Sequence, residues 1–98
     1  MLQLAELSGF DWDSGNDNKN LLKHGVSQIE AEQVFYNQPL LVVIDPKHSQ
    51  RERRFHLYGK NDDGELRHIT FTVRGTKARV ISARPMHKKE RKFYEENT

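Results

Sequence analysis

Two stretches of this chain alternate apolar and polar residues, and a third follows them after a turn. Residues 53–59 set Phe55 and Leu57 against Arg54, His56 and Tyr58, and residues 66–74 set Ile69, Phe71 and Val73 against His68, Thr70, Thr72 and Arg74. Successive strand side chains point to opposite faces, so this period reads as half-buried β-strand. Asn61-Asp62-Asp63-Gly64 and Gly75-Thr76 supply turn chemistry, the second leading into a strand over 77–84. The apolar run from Leu40 to Ile44, closed by Asp45-Pro46, reads as a short buried strand ahead of them. A two-residue last turn would pair Arg74 with Lys77 and Thr72 with Arg79, placing Arg79 on the polar face; one more residue would flip the set. Val80 and Ile81 are both apolar, so the pattern leaves either register open.

Helical signals flank this meander. Phe10 and Trp12 read as core anchors after a loose lead-in over 1–9, and Asp13 or Ser14 is placed to cap a first helix. That helix would turn Leu21 and Leu22 inward and stop at Gly25, which suits a left-handed position past a helix end. Lys23 and His24 fall in its last turn, where the macrodipole favours cations and should raise the histidine pKa. Ser27 and Glu30 form a capping box for a second helix, with Val26 and Ala31 as its staple and Ala31, Val34 and Phe35 as its inward stripe. Asn37 and Pro39 end it. Pro85 fits the first turn of a third helix, on which Met86 and Phe93 share a stripe among Lys88, Lys89, Arg91 and Lys92. The expected fold is a single α+β domain over 1–98: two N-terminal helices, a four-stranded mainly antiparallel sheet with helices on one face, and a C-terminal helix.

Charge is divided along the chain. Residues 1–50 carry three Lys against seven Asp and Glu, whereas 51–98 carry thirteen Lys and Arg against seven acids, giving −4 and +6. A basic second half suits a polyanion, or an acidic protein partner. The absence of cysteine excludes disulfides, thiolate nucleophiles and sulfur-ligated zinc, and fits a reducing cytoplasm. No apolar run approaches the roughly 20 residues of a membrane span, and no signal peptide is expected.

A face rich in Arg, with His and Tyr but no paired carboxylates, suits binding a phosphodiester and stabilising charge on it. Guanidiniums cannot act as bases, so their part would be electrostatic. RNA would bring its own nucleophile, the 2′-hydroxyl, and no metal or cofactor is then required. The five His lack metal-ligand spacing, and Asp45 with His48 reads either as a loop turn or as the holder of a working imidazole. There is no Gly-rich phosphate loop and no Gly-x-Ser-x-Gly elbow. The same basic face would also serve a non-catalytic nucleic-acid-binding module or a protein-interaction domain.

The string Phe10-x-Trp12-Asp13, Lys23-His24-Gly25-Val26-Ser27, Glu30-Ala31, Val34-Phe35, Pro39, Asp45-Pro46 with His48-Ser49, Arg54-Phe55, Gly59, Thr72-x-Arg74-Gly75, Arg79-x-Ile81-Ser82-Ala83-Arg84 and Glu90-Arg91 with Tyr94 resembles the BrnT family of toxins. The resemblance implies a RelE-like ribonuclease fold, growth arrest through RNA cleavage, and neutralisation by a BrnA-type antitoxin. It also implies a hetero-oligomer that reaches operator DNA through the antitoxin. Carried onto this chain, it puts Arg74 and Arg84 on the scissile phosphate with Arg54 beside them. His24 and Tyr94 become proton carriers, and Lys23, Arg79 and Arg91 hold flanking RNA phosphates. Arg53 and His87 depart from the family pattern by adding positive charge; His56 and His68 fall outside its matched positions and are not in the expected catalytic set.

Overall fold

The computed structural model describes residues 4–48 and 50–98; Met1, Leu2 and Gln3 of the expected lead-in, and Ser49 of the matched string, lie outside it. A 3-10 turn over Leu4–Glu6 precedes β1 (Gly9–Phe10), α1 (Lys19–His24), α2 (Gln28–Val34), β2 (Leu41–Asp45), β3 (Arg54–Lys60), β4 (Leu66–Arg74), β5 (Lys77–Pro85) and α3 (Lys88–Glu96). The sheet runs β1-β5-β4-β3-β2, antiparallel except for the β1–β5 pair.

The expected four strands are therefore five, and the mixed sheet corrects the loose lead-in. Gly9 and Phe10 pair with Lys77 and Ala78, while Ser8 N–H donates to Thr76 O at 2.7 Å and Asp11 N–H to Ala78 O at 2.8 Å. Two residues of strand are too short for any periodicity to betray.

The β4–β5 hairpin has the two-residue turn, with Arg74 opposite Lys77, Thr72 opposite Arg79, and Gly75 at φ 63°. One residue later the ladder slips: Phe71 faces Val80, yet Thr70 faces Ser82, so Ile81 is a bulge. Arg79 and Arg84 stand five apart and would point to opposite faces of a regular strand. The bulge puts both on the polar face, opposite Thr72 and His68.

The core lies between α2 and the other face of the sheet, where Val26, Val34, Leu57, Ile69, Phe71 and Val80 are all but fully buried. Phe35 meets Phe10 and Phe71 edge-on, each with centroids 5.0 Å apart. Gly59 admits the helix: a Cβ there would stand 3.0 Å from Val34 Cγ1 and from Leu40 Cδ2. Ser27 Oγ caps α2 by accepting from Glu30 N–H at 3.1 Å, but the Glu30 carboxylate leaves the capping box to pair with Arg67 of β4.

Four local expectations are corrected. Asp13 and Ser14 do not cap α1, which starts at Lys19 behind Asn18 at φ 55°; Asp13 instead accepts from Gly15 N–H and Arg79. Leu21 and Leu22 face outward, 46% and 87% exposed, and Asn20 is the residue that α1 buries. β2 is an edge strand with Val43 and Ile44 exposed rather than a buried one. Pro85 ends β5 instead of opening α3, which lies against the polar face: Phe93 meets the Tyr58 ring at 5.3 Å and Glu90 reaches Arg84. Helices thus touch both faces, and His68, Thr70 and Thr72, expected to face away from the core, are buried.

Candidate nucleic-acid interface

Strands β3, β4 and β5 deliver Arg54, Thr72, Arg74 and Arg79 to one end of the polar face, where they line an open groove of about 190 Å³ with Lys19 and Glu52. Arg74 is half exposed and pairs with Glu52 at 3.3 Å. Arg79 is more committed. Its guanidinium donates to both carboxylate oxygens of Asp13, at 2.9 and 3.0 Å, and to Asp11 at 3.4 Å. These bonds hold the Asp13 carboxyl below its ordinary range. Gly15 lets the acidic loop close on Arg79, since a Cβ there would lie 3.0 Å from Arg79 Nη2.

A second cavity of about 300 Å³ adjoins the first and shares Glu52 and Arg54 with it; Lys47, His48, Gln50 and Arg51 also line it. Behind it a chain of polar contacts crosses the sheet. Asp45 Oδ2 accepts from His48 Nδ1 at 2.9 Å and from His56 Nε2 at 3.0 Å. With the His56 proton on Nε2, its Nδ1 accepts from His68 Nε2 at 2.9 Å, with Thr70 Oγ1 3.1 Å away. His68 Nδ1 is buried without a hydrogen-bond partner, 4.0 Å from Glu90 Oε2. Glu90 closes the chain on Arg84 through a two-pronged pair at 2.7 and 2.9 Å.

The electrostatics follow from these contacts. Hydrogen bonding from His48 leads the effects that hold the Asp45 carboxyl at about 2. Burial alone would raise Glu90, but Arg84 and the His87 N–H outweigh it and bring it to about 2. Burial, then the Arg84 charge, depresses His68 to about 4. His24 was expected to be raised by the helix dipole; burial, then Lys23 and Arg84, lowers it instead. A helix of two turns has a weak dipole, and two neighbouring cations oppose it.

Of the residues singled out from the sequence, Arg54, Arg74 and Arg79 come together in the groove. Arg84 lies elsewhere on the same face, joined to Glu90. His24 is half-buried and Lys23 exposed at the end of α1, and Arg91 is exposed on α3. Tyr94 is buried and donates to Pro39 O at 2.7 Å, tying α3 to the segment before β2, and burial raises its pKa. Lys19 escaped notice because a cation at a helix start runs against the dipole preference. His56 and His68 carried a usable signal, sharing Arg54's side of the alternation. Among the described residues no group of three or more His, Asp or Glu is arranged to hold a metal ion, and no helix is long and apolar enough to cross a membrane.

An α+β domain that gathers cationic side chains over an open, shallow groove has the make-up of a polyanion-binding protein. A family-wide sequence profile narrows this: described as the ribonuclease toxin BrnT of a type II toxin–antitoxin system, it matches residues 12–90. The chain belongs to the BrnT ribonuclease toxin family. No individual curated protein matches the chain.

Proposed function

We propose that this protein is a metal-independent endoribonuclease that arrests translation and growth in the cytoplasm, and that a BrnA-type antitoxin neutralises it in a hetero-oligomer able to bind operator DNA. Family membership supports a toxin that acts on RNA and has an antitoxin partner. The observation that carries the catalytic part is the convergence of Lys19, Arg54, Arg74 and Arg79 from α1 and three strands on one groove. Donors fixed before the substrate arrives stabilise the extra charge of a pentacovalent phosphorus without reorganising.

Arg54 and Arg74 are the groups assigned to the scissile phosphate, with Lys19 on a neighbouring one. Arg79 and Arg84 spend their forks on Asp13 and Glu90, so their part is to shape the face. The same carboxylate pairing gives the non-catalytic binding module its support, because it removes charge from the face without removing shape. End-labelled RNA incubated with purified protein and a chelator separates the two. The nuclease produces discrete fragments, and Arg74→Ala slows their appearance about a hundredfold. Salt-sensitive binding with intact RNA would establish the module and overturn the nuclease.

A further inference from the structure

Cleavage through the 2′-hydroxyl requires a group that accepts its proton, and guanidiniums cannot do so. The cavity beside the arginine groove holds a group of the right kind. Asp45 closes β2 with Oδ1 accepting from the backbone N–H of Lys47 at 3.0 Å and of His48 at 3.2 Å, which folds the following loop back on the strand. Its other oxygen, Oδ2, accepts from His48 Nδ1 at 2.9 Å. A carboxylate only accepts, so the His48 proton sits on Nδ1 and the Nε2 lone pair lies on the other side of the ring.

The imidazole is 62% exposed and lines the cavity that also includes Arg54. Asp45 does not depend on the loop alone for its position. His56, from the neighbouring strand, donates to the same Oδ2 at 3.0 Å and is itself held by Thr70 and His68. Among the described histidines, His48 alone combines exposure, a carboxylate on one nitrogen and a cavity shared with an arginine. His68 is buried, His56 has Asp45 on one ring nitrogen and His68 with Thr70 at the other, and His24 stands near Lys23 and Arg84.

We propose that His48 is the general base of RNA cleavage, with Asp45 as its positioning residue and His56 as the brace on Asp45; this rests on the ribonuclease reading above. His48 Nε2 takes the 2′-hydroxyl proton as the 2′-oxygen forms its bond to the adjacent phosphorus. The phosphorus–O5′ bond breaks, leaving a 2′,3′-cyclic phosphate on one fragment. The departing 5′-oxygen takes a proton from water, and the imidazolium returns its proton to the hydroxide so formed. Arg54, in the lining of the same cavity, faces the phosphate as charge builds on it.

The test uses the full chain and end-labelled RNA under single-turnover conditions, with RNA affinity followed by fluorescence anisotropy and folding by circular dichroism. His48→Ala should lose a hundredfold or more in cleavage rate while binding RNA within about twofold of the parent. Added imidazole should restore part of that rate. Asp45→Asn should likewise lower the rate and leave affinity in place, a split that mere loss of structure would not give. If His48→Ala fails to fold, His48→Gln carries the comparison. A parent that cleaves RNA while the His48 variant cleaves as fast, or slows only in proportion to weaker binding, overturns the assignment and leaves the ribonuclease reading standing. A parent that yields no product overturns both.

Discussion

Replacing His68 with glutamine tests the polar chain across the sheet. His68 is 5% exposed and faces Arg84 of β5, Glu90 and His87 near the start of α3, and His56 and Tyr58 of β3. Burial, then the charge on Arg84, disfavours the imidazolium and moves its pKa from 6.5 to about 4. Between those values the unfolded chain takes up a proton that the folded chain refuses. Stability is therefore complete above pH 6.5 and falls as pH drops towards about 4, by about 1.4 kcal/mol per unit. From pH 6.5 down to about pH 5 the loss is about 2 kcal/mol. Asp45 and Glu90, both held at about 2, give up their contributions only at lower pH. His24 is shifted the same way as His68 but is present in both proteins and cancels. A glutamine amide keeps a donor for His56 Nδ1 and does not titrate. Urea unfolding of both proteins at the two pH values should show the parent losing about 2 kcal/mol more than His68→Gln. Equal losses would mean that His68 is not the neutral, buried member of this chain, and the reasoning would fail.

Other outcomes follow from the same geometry. Tyr94→Phe removes the 2.7 Å bond to Pro39 O and should cost about 1 kcal/mol in chemical denaturation, with cleavage per folded molecule unchanged; slower cleavage at full stability would return Tyr94 to the role of proton carrier. Leu57→Ala, at a site with no exposure, should destabilise by about 2–5 kcal/mol, whereas Leu22→Ala, at 87% exposure, should stay within about 0.5 kcal/mol. Arg74→Ala breaks only a half-exposed pair with Glu52, so its melting temperature should barely move while its activity falls.

What could be read from the letters alone was local. The span of β4, the Gly75 turn, the Ser27 cap and the stop at Gly25 each depend on residues within a few positions of one another, and all four are present. The paired leucines of α1 looked like core because hydrophobicity was the only available signal; in a helix of six residues beside β5, the buried position went to Asn20. The arginines were legible as one cluster of charge, but not their acids. Asp13 lies 66 positions from Arg79, and nothing in either neighbourhood announces the pair. The Asp45–His48 pair was visible at its spacing, whereas the support from His56 required β2 and β3 to be laid side by side.

The surplus residue at Ile81 has a consequence for how this surface tolerates change in length. Excise it and Arg79 and Arg84 would stand four apart, on one face of a regular strand; draw it into the ladder at the present length instead, and the remainder of β5 would turn over, driving the Arg84 guanidinium toward the apolar interior and Ala83 out to solvent. The two halves of the polar face, one built on Arg79 and the other on Arg84, are thus kept in phase by leaving one residue out of the pairing, a residue whose own side chain need do no chemistry.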